Sequence, residues 1–409
     1  MGGPLEYASE ADRLVLSRLH SKGEAWVVGG WVRESVSGAP STDMDIATTL
    51  LPLEVKELFP LSLMYGAEYG TVVVRLEEFD ETWEVTTLRS EGGYGDGRRP
   101  DKVDFGVHIN DDLSRRDFTI NAMAYDSERS LVDPFDGYSD LEDGILRSVG
   151  NAAERIGEDG LRVMRAYRFL ASQKVVTMDS ELRDAVRANI GMLGMVSKER
   201  IGDEMGRTIV APKASTAISM MHDDGVIQQI LPGLTSNPQV ALSGDPVVNL
   251  ALFCSADKRS GVDLVALLRE SLRLSTDELR EIAFLHEARD VSLPSTITEM
   301  RVFRAYLPEL RQTRIIDYFS GLGRDVSQFE SSINRLSPLK AGNAPLVDGN
   351  TLSEATGLEP GPRMGRLKGL LHRILVERDL SEQNDVLALL DELEWNDSEH
   401  EDWAALKWP

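Results

Sequence analysis

The sequence predicts an α+β fold, with an N-terminal part built on a mixed sheet with flanking helices and wholly helical parts after it. An apolar strand at Trp26–Val28 runs into a Gly-Gly turn, and a second strand carries Asp43-Met44-Asp45. Thr71–Leu76 and Trp83–Leu88 alternate, are β-branched and flank an acidic turn, which predicts a hairpin. From Glu181 onward, apolar residues recur at helical spacing.

Length and composition predict a multidomain protein of the cytoplasm. A chain of 409 residues exceeds what one hydrophobic core usually holds. Its 42% hydrophobic and 27% charged residues are typical of a folded chain. The single cysteine, Cys254, excludes an internal disulfide and fits a reducing compartment. The chain has no 18-residue apolar run, so we expect no membrane association.

The formal net charge of −24 argues, taken alone, against nucleic-acid binding, because affinity for phosphates comes largely from Lys and Arg. Net charge does not describe a local groove, however. Arginines are clustered within the first 170 residues of this chain. A phosphate-binding groove in the N-terminal part therefore stays compatible with the acidic total.

The second strand predicts a metal site. Side chains two residues apart on a strand point to the same face, so Asp43 and Asp45 lie side by side. Two adjacent carboxylates repel each other unless a cation lies between them, and Mg²⁺ prefers oxygen ligands. The alternative is an acidic β-turn without a metal.

The Gly-Gly turn before it predicts a phosphate site. Gly29 and Gly30 allow the backbone to approach a phosphate closely, and the helix expected to open at Trp31 offers free N–H groups. The alternative is an ordinary strand–helix turn. A metal beside a triphosphate indicates nucleotidyl transfer.

The stretch DDLSRRDFTINAMAYD supplies further polar groups. Arg115 and Arg116 offer planar, bidentate donors that suit triphosphate oxygens. Asp117 and Asn121 are four residues apart, so we expect them on one helical face.

A later helix carries a candidate for base selection. Asp159 and Arg162 are neighbours at i and i+3, and Arg165 and Arg168 continue the series. Cytosine and adenine both present an amino donor beside a ring-nitrogen acceptor, which a carboxylate and a guanidinium complement. Uracil and guanine reverse that pattern. The alternative is an i,i+3 salt bridge on a solvated helix.

These stretches carry a family resemblance. GGWVRE followed by DMD resembles the GGxVRD…DxD signature of class II tRNA nucleotidyltransferases and bacterial poly(A) polymerases, of the polymerase-β nucleotidyltransferase superfamily, with Glu34 where Asp is usual. RRDFTINA is similar to the family's RRDFTxNA motif, and the segment at 158–165 to EDxxRxxR. Gly70-Thr71-Val72 is similar to the pattern of the CCA-adding members.

The resemblance implies template-independent addition of CCA to the 3′ end of tRNA from CTP and ATP, with release of pyrophosphate. It implies two Mg²⁺ ions held by Asp43 and Asp45, with Glu84 as the third ligand; the alternative for Glu84 is an outward-facing strand residue. It implies nucleotide binding by Gly29, Gly30, Arg33, Arg115, Arg116, Asp117, Asn121, Asp159, Arg162, Arg165 and Arg168.

Two further segments are candidates for tRNA contact. The composition of residues 89–110 predicts a long mobile loop. In it, Arg98 and Arg99 are candidates for contact with phosphate or primer; the alternative is a solvated basic turn. The C-terminal helix with Arg363, Arg366 and Lys368 is a candidate surface for the acceptor or elbow region of tRNA, or a solvated basic face. We expect the last residues to form a loosely held tail, and no obligate protein partner.

We expect four parts: a catalytic head (1–148), a helical neck with the base-selecting motif (149–211), a helical body (212–335) and a helical tail (336–409). Alternatives to full CCA addition are CC-only or A-only addition and poly(A) synthesis. The alternative outside enzymes is a catalytically silent RNA-binding protein.

Overall fold

A computed structural model of the chain describes residues 4–39, 43–64, 66–92, 102–126, 130–238, 244–396 and 398–409. The chain divides into two compact units. The first contains the chain up to Leu234 and Leu267–Leu274, and the second contains Thr235–Ala266 and Ser275–Pro409. The division into head, neck, body and tail is finer than this and stays a prediction.

The strands that the structure describes all lie in the first unit. They are β1 Ala25–Val28, β2 Asp45–Thr48, β3 Thr71–Arg75, β4 Thr82–Thr87, β5 Arg89–Gly92, β6 Lys102–Phe105, β7 Ala124–Asp126, β8 Ser130–Val132, β9 Ile145–Leu146 and β10 Thr177–Met178. Six of them form one sheet in the order β3-β4-β2-β1-β7-β8. β2 and β4 are parallel and the other neighbours in this sheet are antiparallel, so the sheet is mixed as expected.

The helices of the first unit flank this sheet and follow it. They are α1 Glu10–His20, α2 Gly30–Val36, α3 Pro52–Leu58, α4 Ile109–Ser114, α5 Gly137–Asp143, α6 Ala152–Glu158, α7 Leu161–Leu170, α8 Ser180–Ala188, α9 Lys198–Ile209, α10 Ala214–Asp223 and α11 Val226–Ile230. α9 packs closely against the chain near Leu272, because a Cβ on Gly202 would lie 2.1 Å from the Leu272 carbonyl oxygen.

The later helices belong to the second unit, apart from the end of α13. They are α12 Pro246–Phe253, α13 Gly261–Leu272, α14 Thr276–Ala288, α15 Ile297–Tyr306, α16 Glu309–Gly321, α17 Ser327–Arg335, α18 Gly349–Thr356, α19 Pro362–Arg378 and α20 Gln383–Glu392. The predicted change from a sheet-containing part to helical parts is confirmed. Among the described residues, no helix has the length and apolar character needed to cross a membrane.

The expectation of a loosely held C-terminal tail is wrong. Trp403 and Trp408 are buried, at 6% and 8% exposure. The Trp408 ring packs edge-on against Phe303, with the ring centroids 4.9 Å apart. Trp403 joins a hydrophobic cluster with α19. Two large aromatic rings therefore anchor a segment whose remaining residues are mostly polar.

The described residues of the segment 89–110 include two strands and the start of a helix, where a loop was expected. β5 and β6 pair as an antiparallel hairpin, with Arg89 opposite Phe105 and Gly92 opposite Lys102. α4 then begins at Ile109. Arg98 and Arg99 lie outside the described residues, so their predicted contact with phosphate or primer stays a prediction.

Candidate active site

The sheet register positions the predicted metal ligands. β2 begins at Asp45 rather than including Asp43, which lies in the extended residues just before it. Asp45 is opposite Val28 of β1 on one side and opposite Glu84 of β4 on the other. Residues in register on neighbouring strands share a face. Asp45 and Glu84 are therefore neighbours on one face, and Asp43 and Asp45 line the same cavity.

The charges around Asp45 fit a cation. Partial removal of the carboxylate from water raises the pKa of Asp45, and the Glu84 charge raises it further, although the residue as a whole is exposed. Arg116 opposes the rise and Asp43 adds to it, which leaves the pKa at about 6. Carboxylates in this state gain from a divalent cation, and Mg²⁺ uses one or two carboxylates plus substrate phosphates. The oxygen donors of Asp43 and Asp45 thus fit Mg²⁺.

Glu84 as a third ligand stays a prediction. Among the described residues, the group of three potential ligands whose donor atoms all lie within 4.8 Å of one another is Glu399, His400 and Glu401. Asp43, Asp45 and Glu84 are not drawn together to that extent. The consecutive residues 399–401 belong to the second unit and are not among the residues that line this cavity.

The Gly-Gly turn lies directly beside these carboxylates. Gly29 has φ +70°, a left-handed conformation that favours glycine. A Cβ at this position would lie 3.1 Å from Arg116 Nη1 and 3.5 Å from Asp45 Oδ2. The turn therefore brings backbone, carboxylate and guanidinium together, and α2 begins immediately after it at Gly30.

Buried acids hold the Arg115–Arg116 pair in place. Arg115 donates to Asp112 Oδ1 through Nε at 3.0 Å and to Glu91 Oε1 through Nη1 at 3.0 Å. Arg116 lies 3.4 Å from Asp112 Oδ2. Burial lowers the pKa of Arg116, and the Asp112 charge opposes this. Asp112 thus orients both guanidinium groups at the cavity wall.

Asp117 and Asn121 do not lie on one helix, so that expectation is wrong. α4 ends at Ser114, and Asn121 closes a short 3₁₀ turn, Thr119–Asn121. The two side chains still meet, because Asn121 Nδ2 donates to Asp117 Oδ1 at 3.1 Å. The Asn121 amide oxygen accepts a hydrogen bond from Arg33. A turn, and not a helical repeat, brings the motif residues together.

Asp117 is fully charged at neutral pH. Burial would raise its pKa, but the Arg165 charge and hydrogen bonds from Asn121 and Arg165 bring the pKa down to about 2. Arg165 Nε donates to Asp117 Oδ2 at 2.7 Å. Asp117 therefore fixes Arg165 of α7 to the head motif.

Asp159 also lies outside a helix, which corrects the predicted i,i+3 helical pair. α6 ends at Glu158 and α7 begins at Leu161, so Asp159 is extended between them. Its Oδ1 accepts the Leu161 backbone N–H at 2.9 Å, and its Oδ2 accepts a hydrogen bond from Arg200 at 2.9 Å.

Arg162 has partners of its own. It binds the Glu158 carboxylate, the Arg155 carbonyl oxygen at 2.5 Å and the Arg115 carbonyl oxygen at 3.2 Å. The ion pairs of the described residues do not include one between Asp159 and Arg162. The surface salt bridge that was the alternative for this pair does not form.

These residues surround one cavity of about 740 Å³. It is lined by Gly29, Gly30, Trp31, Arg33, Glu34, Asp43, Asp45, Arg89, Glu91, Arg115, Arg116, Asp117, Asn121, Asp159, Leu161, Arg162, Arg165, Arg168, Phe169, Arg200 and Arg207. The predicted nucleotide-binding residues all belong to this set, and both predicted catalytic aspartates do as well. Nine arginines and six carboxylates line the cavity, so its described lining is cationic on balance.

Sequence relatives decide the family. The chain is 33% identical over 384 residues to the CCA-adding enzyme of Lactobacillus johnsonii, with 90% of this chain and 93% of that protein covered. It is 32% identical over 396 residues to the CCA-adding enzyme of Lactiplantibacillus plantarum, with 94% and 95% covered. The chain belongs to the family of CCA-adding enzymes. The resemblance found in the motifs is thereby confirmed.

Family profiles and solved structures agree with this membership. Residues 25–147 match the Poly A polymerase head domain, and residues 176–237 match the probable RNA and SrmB-binding site of polymerase A. The Bacillus stearothermophilus CCA-adding enzyme in complex with CTP is 26% identical, with TM-score 0.80 and 96% of this chain and 98% of that chain covered. The Thermotoga maritima CCA-adding enzyme complexed with tRNA-CCA shares the fold at 19% identity, with TM-score 0.66, covering 96% and 98%.

Sequence reasoning missed several cavity residues of this CCA-adding enzyme family member. Arg200, which binds Asp159, and Arg207 both come from α9, and Arg89 and Glu91 come from β5. The arginine in VSKERI was a visible signal for Arg200. For Glu91 the sequence offers no comparable signal. Its ion-pair partners are Arg89 and Arg115, and these two arginines become neighbours only when β5 lies beside the end of α4.

The predicted tRNA-contacting helix, α19, has a structural role in the second unit. Arg363 donates to the carbonyl oxygens of Trp395 at 2.8 Å and Asn396 at 3.0 Å. Arg366 lies 3.3 Å from the Glu401 carbonyl oxygen. These arginines tie α19 to the C-terminal segment, whereas Lys368 lies on the same helix with partial exposure. Their contact with tRNA stays a prediction.

Proposed function

We propose that this chain adds CCA to the 3′ end of tRNA from CTP and ATP without a nucleic-acid template. One observation carries the proposal: Asp159 and Arg162 line the same cavity as Asp43 and Asp45, and their side chains form no ion pair with each other. Both side chains therefore border the space in which a nucleotide would react, each held in place by partners of its own. The chain matches relatives that are CCA-adding enzymes over more than 90% of their length, which supports the same activity.

The carboxylates and arginines would divide the reaction between them. Asp43 and Asp45, with Glu84 as a third candidate, would hold two Mg²⁺ ions, which when bound activate the attacking 3′-hydroxyl and neutralise charge on the leaving pyrophosphate. Arg33, Arg115, Arg116, Arg165 and Arg168 would bind the triphosphate, because guanidinium groups match phosphate oxygens bidentately. Asp117 and Asn121 would orient the ribose. The tRNA 3′ oxygen attacks the α-phosphorus, and pyrophosphate leaves.

Asp159 and Arg162 would select the base. The Asp159 carboxylate accepts from the amino group of cytosine or adenine, and Arg162 donates to the adjacent ring nitrogen. Uracil or guanine would set a keto oxygen against the carboxylate and a ring N–H against the guanidinium. Each polar group left unpaired in a closed site costs about 1–3 kcal/mol, so two mismatches discriminate by on the order of hundredfold or more.

We further propose that the chain works in the cytoplasm with tRNA as its macromolecular substrate. The lone thiol, Cys254, is buried, and burial raises its pKa to about 12, so it is an inert thiol that needs no oxidising compartment. The absence of a membrane-spanning helix among the described residues is consistent with this location. The solved tRNA complex of the Thermotoga maritima enzyme motivates the choice of substrate.

The test is incubation of the purified chain with a tRNA lacking CCA, Mg²⁺, and CTP and ATP separately and together, with products resolved at single nucleotides. The inactive control is Asp43→Ala with Asp45→Ala. The matched control is Glu77→Ala with Glu78→Ala, which removes the same charge from exposed residues between β3 and β4. We expect C, C and A to be added in order, after which addition stops.

Other outcomes identify the alternatives. Addition that stops at CC, or addition of A only to a tRNA ending in CC, indicates an enzyme with a split activity. Long A tracts on unrelated RNA indicate the poly(A) polymerase, for which the head-domain match is the relevant observation. Binding of tRNA without any incorporation contradicts the proposal and indicates a silent RNA-binding protein.

A further inference from the structure

Phe169 of α7 is surrounded by three guanidinium groups at the cavity. The Cζ atom of Arg168 lies 4.3 Å from the centroid of the Phe169 ring, that of Arg33 5.1 Å and that of Arg165 5.5 Å. The ring is 5% exposed and lines the cavity. Its other neighbours include Phe118, which packs edge-on with the ring centroids 5.5 Å apart. Each guanidinium is within the range of a cation–π contact.

Each of these arginines also pairs with a carboxylate or an amide. Arg33 donates to Glu34 at 2.8 Å and to Asn121. Arg165 donates to Asp117 at 2.7 Å. Arg168 forms an ion pair with the buried Glu204, with 2.6 Å between Nε and Oε2.

These side chains form a continuous network. It links α2, the RRDFTINA turn, α7 and α9, and the Phe169 ring is the one group that all three arginines share.

The geometry solves an electrostatic problem for a triphosphate site. Three like charges beside one cavity repel each other, and each of the three arginines has already committed part of its N–H donors to a carboxylate or an amide. The face of an aromatic ring attracts a cation through its quadrupole without accepting its N–H groups. The ring can therefore help to hold these guanidinium groups in place without taking up any of their remaining in-plane N–H donors, which phosphate oxygens need.

We propose that Phe169 is a positioning residue for the triphosphate: it holds Arg33, Arg165 and Arg168 in a fixed arrangement by cation–π contacts. The proposal rests on the proposed function, since it assumes that these arginines bind the nucleotide phosphates. An apolar side chain of similar size would fill the same space but offer no quadrupole. Base selection lies with other residues, so the effect of Phe169 should be equal for CTP and ATP.

The test measures binding of CTP, ATP and inorganic tripolyphosphate to the full chain by calorimetry. We expect Phe169→Leu to raise the dissociation constant of all three by about tenfold, as loss of well-desolvated cation–π contacts predicts. In steady-state incorporation, KM should rise by a similar factor, with a smaller change in kcat. The matched control is Phe59→Leu, which truncates an equally buried ring of the same unit outside the cavity.

A fluorination series separates electrostatics from packing. Replacing Phe169 with mono-, di- and trifluorophenylalanine weakens the negative ring face stepwise at nearly constant volume. We expect the dissociation constant for tripolyphosphate to rise with each fluorine while thermal stability changes little. A flat series, or equal losses in Phe169→Leu and Phe59→Leu, overturns the proposal.

The outcomes also separate this proposal from the proposed function. If the wild-type chain adds CCA and the fluorinated chains bind tripolyphosphate normally, only the role of Phe169 is refuted. If the wild-type chain binds neither nucleotide nor tripolyphosphate, both proposals are refuted. If it binds them with a graded fluorine dependence but adds no nucleotide, the role of Phe169 is upheld and CCA addition is refuted.

Discussion

Asp159→Asn tests whether one carboxylate reads the base. The substitution keeps the size of the side chain but replaces one acceptor oxygen with an NH₂ donor. In the structure, one carboxylate oxygen accepts the Leu161 N–H at 2.9 Å and the other accepts from Arg200 at 2.9 Å. Either orientation of the amide sets its NH₂ group against one of these donors. The side chain therefore loses a partner whichever way it turns.

The expected magnitude follows from the acceptor that the cytosine amino group loses. That amino donor, left unpaired against an amide NH₂ in a closed site, costs about 1–3 kcal/mol, so we expect kcat/KM for CTP to fall by roughly 10- to 100-fold. Incorporation of UTP should fall less, because the keto oxygen of uracil accepts a hydrogen bond from an amide NH₂. The assay is single-nucleotide incorporation of CTP and of UTP into a tRNA lacking CCA. The CTP-to-UTP ratio is the quantity that decides.

Asp179→Asn is a closely matched control. Asp179 accepts the Glu181 backbone N–H at 3.1 Å, binds Arg147 at 2.9 Å and has a side-chain exposure of 19%, compared with 17% for Asp159. It lies outside the cavity lining. We expect similar destabilisation in both variants but an altered CTP-to-UTP ratio only in Asp159→Asn. An unchanged ratio in Asp159→Asn refutes the reading role of the carboxylate.

Three further predictions concern stability and the glycine turn. The pKa of Asp117 is about 2 in the fold and 3.8 when unfolded, so its charge stabilises the protein by about 2 kcal/mol above pH 4. This contribution is lost as the pH falls through about 2. In urea unfolding between about pH 6 and pH 2.5, the difference in unfolding free energy between wild type and Asp117→Asn should therefore shrink. Gly29→Ala strains a residue at φ +70° and moves a methyl group to 3.1 Å from Arg116 Nη1, so CTP incorporation should fall roughly tenfold or more. Gly202→Ala should lower the free energy of unfolding by about 2–3 kcal/mol, because its Cβ would lie 2.1 Å from the Leu272 carbonyl oxygen.

Each of these has an outcome that contradicts it. A constant stability gap between wild type and Asp117→Asn across the acid range would show that the carboxylate is not the group that titrates. Normal incorporation by Gly29→Ala would mean that the turn does not constrain the site. For Gly202, the control is Gly206→Ala on the same helix, which has open space around it and should be neutral or stabilising; equal effects at both positions would rule out the backbone contact as the cause.

Sequence patterns predicted which residues gather at the cavity better than they predicted the local backbone. The RRDFTINA motif indicated Asp117 and Asn121 as nucleotide-binding residues, and both line the cavity, but spacing alone favoured a helix. Tertiary pairing prevented it: the Thr119 N–H donates to the Arg147 carbonyl oxygen at 3.0 Å, and the Val149 N–H donates to that of Asp117 at 3.2 Å. These long-range bonds hold the segment extended, and a pattern within one short stretch contains no information about them.

The break before α7 has a comparable cause. Asp159 fits a continuous helical pattern in the sequence, yet Gly160 packs so close to a neighbouring turn that a Cβ would lie 2.8 Å from the Met192 carbonyl oxygen. The glycine was a visible signal for a break in the helix.

The tryptophans of the C-terminal segment were a visible signal that this segment is packed, since large aromatic rings seldom remain solvated. What no local pattern contains is the meeting of Arg33, Arg165 and Arg168 at one ring.

The contrast between the cavity and the whole chain affects how an RNA strand arrives. Nine of the cavity's lining residues, counted over the part of the chain that the structure describes, are arginines, whereas the formal net charge of the chain is −24. Within a Debye length of about 8 Å, the cavity arginines attract a polyanion and the acidic excess elsewhere on the chain repels one, and at larger distances salt screens both effects. A negatively charged strand is therefore attracted locally, at the cavity, and not by the chain as a whole. Salt ordinarily slows the association of a protein with RNA because it screens their attraction. In this chain salt also screens the repulsion from the acidic excess, so the association rate should depend only weakly on ionic strength.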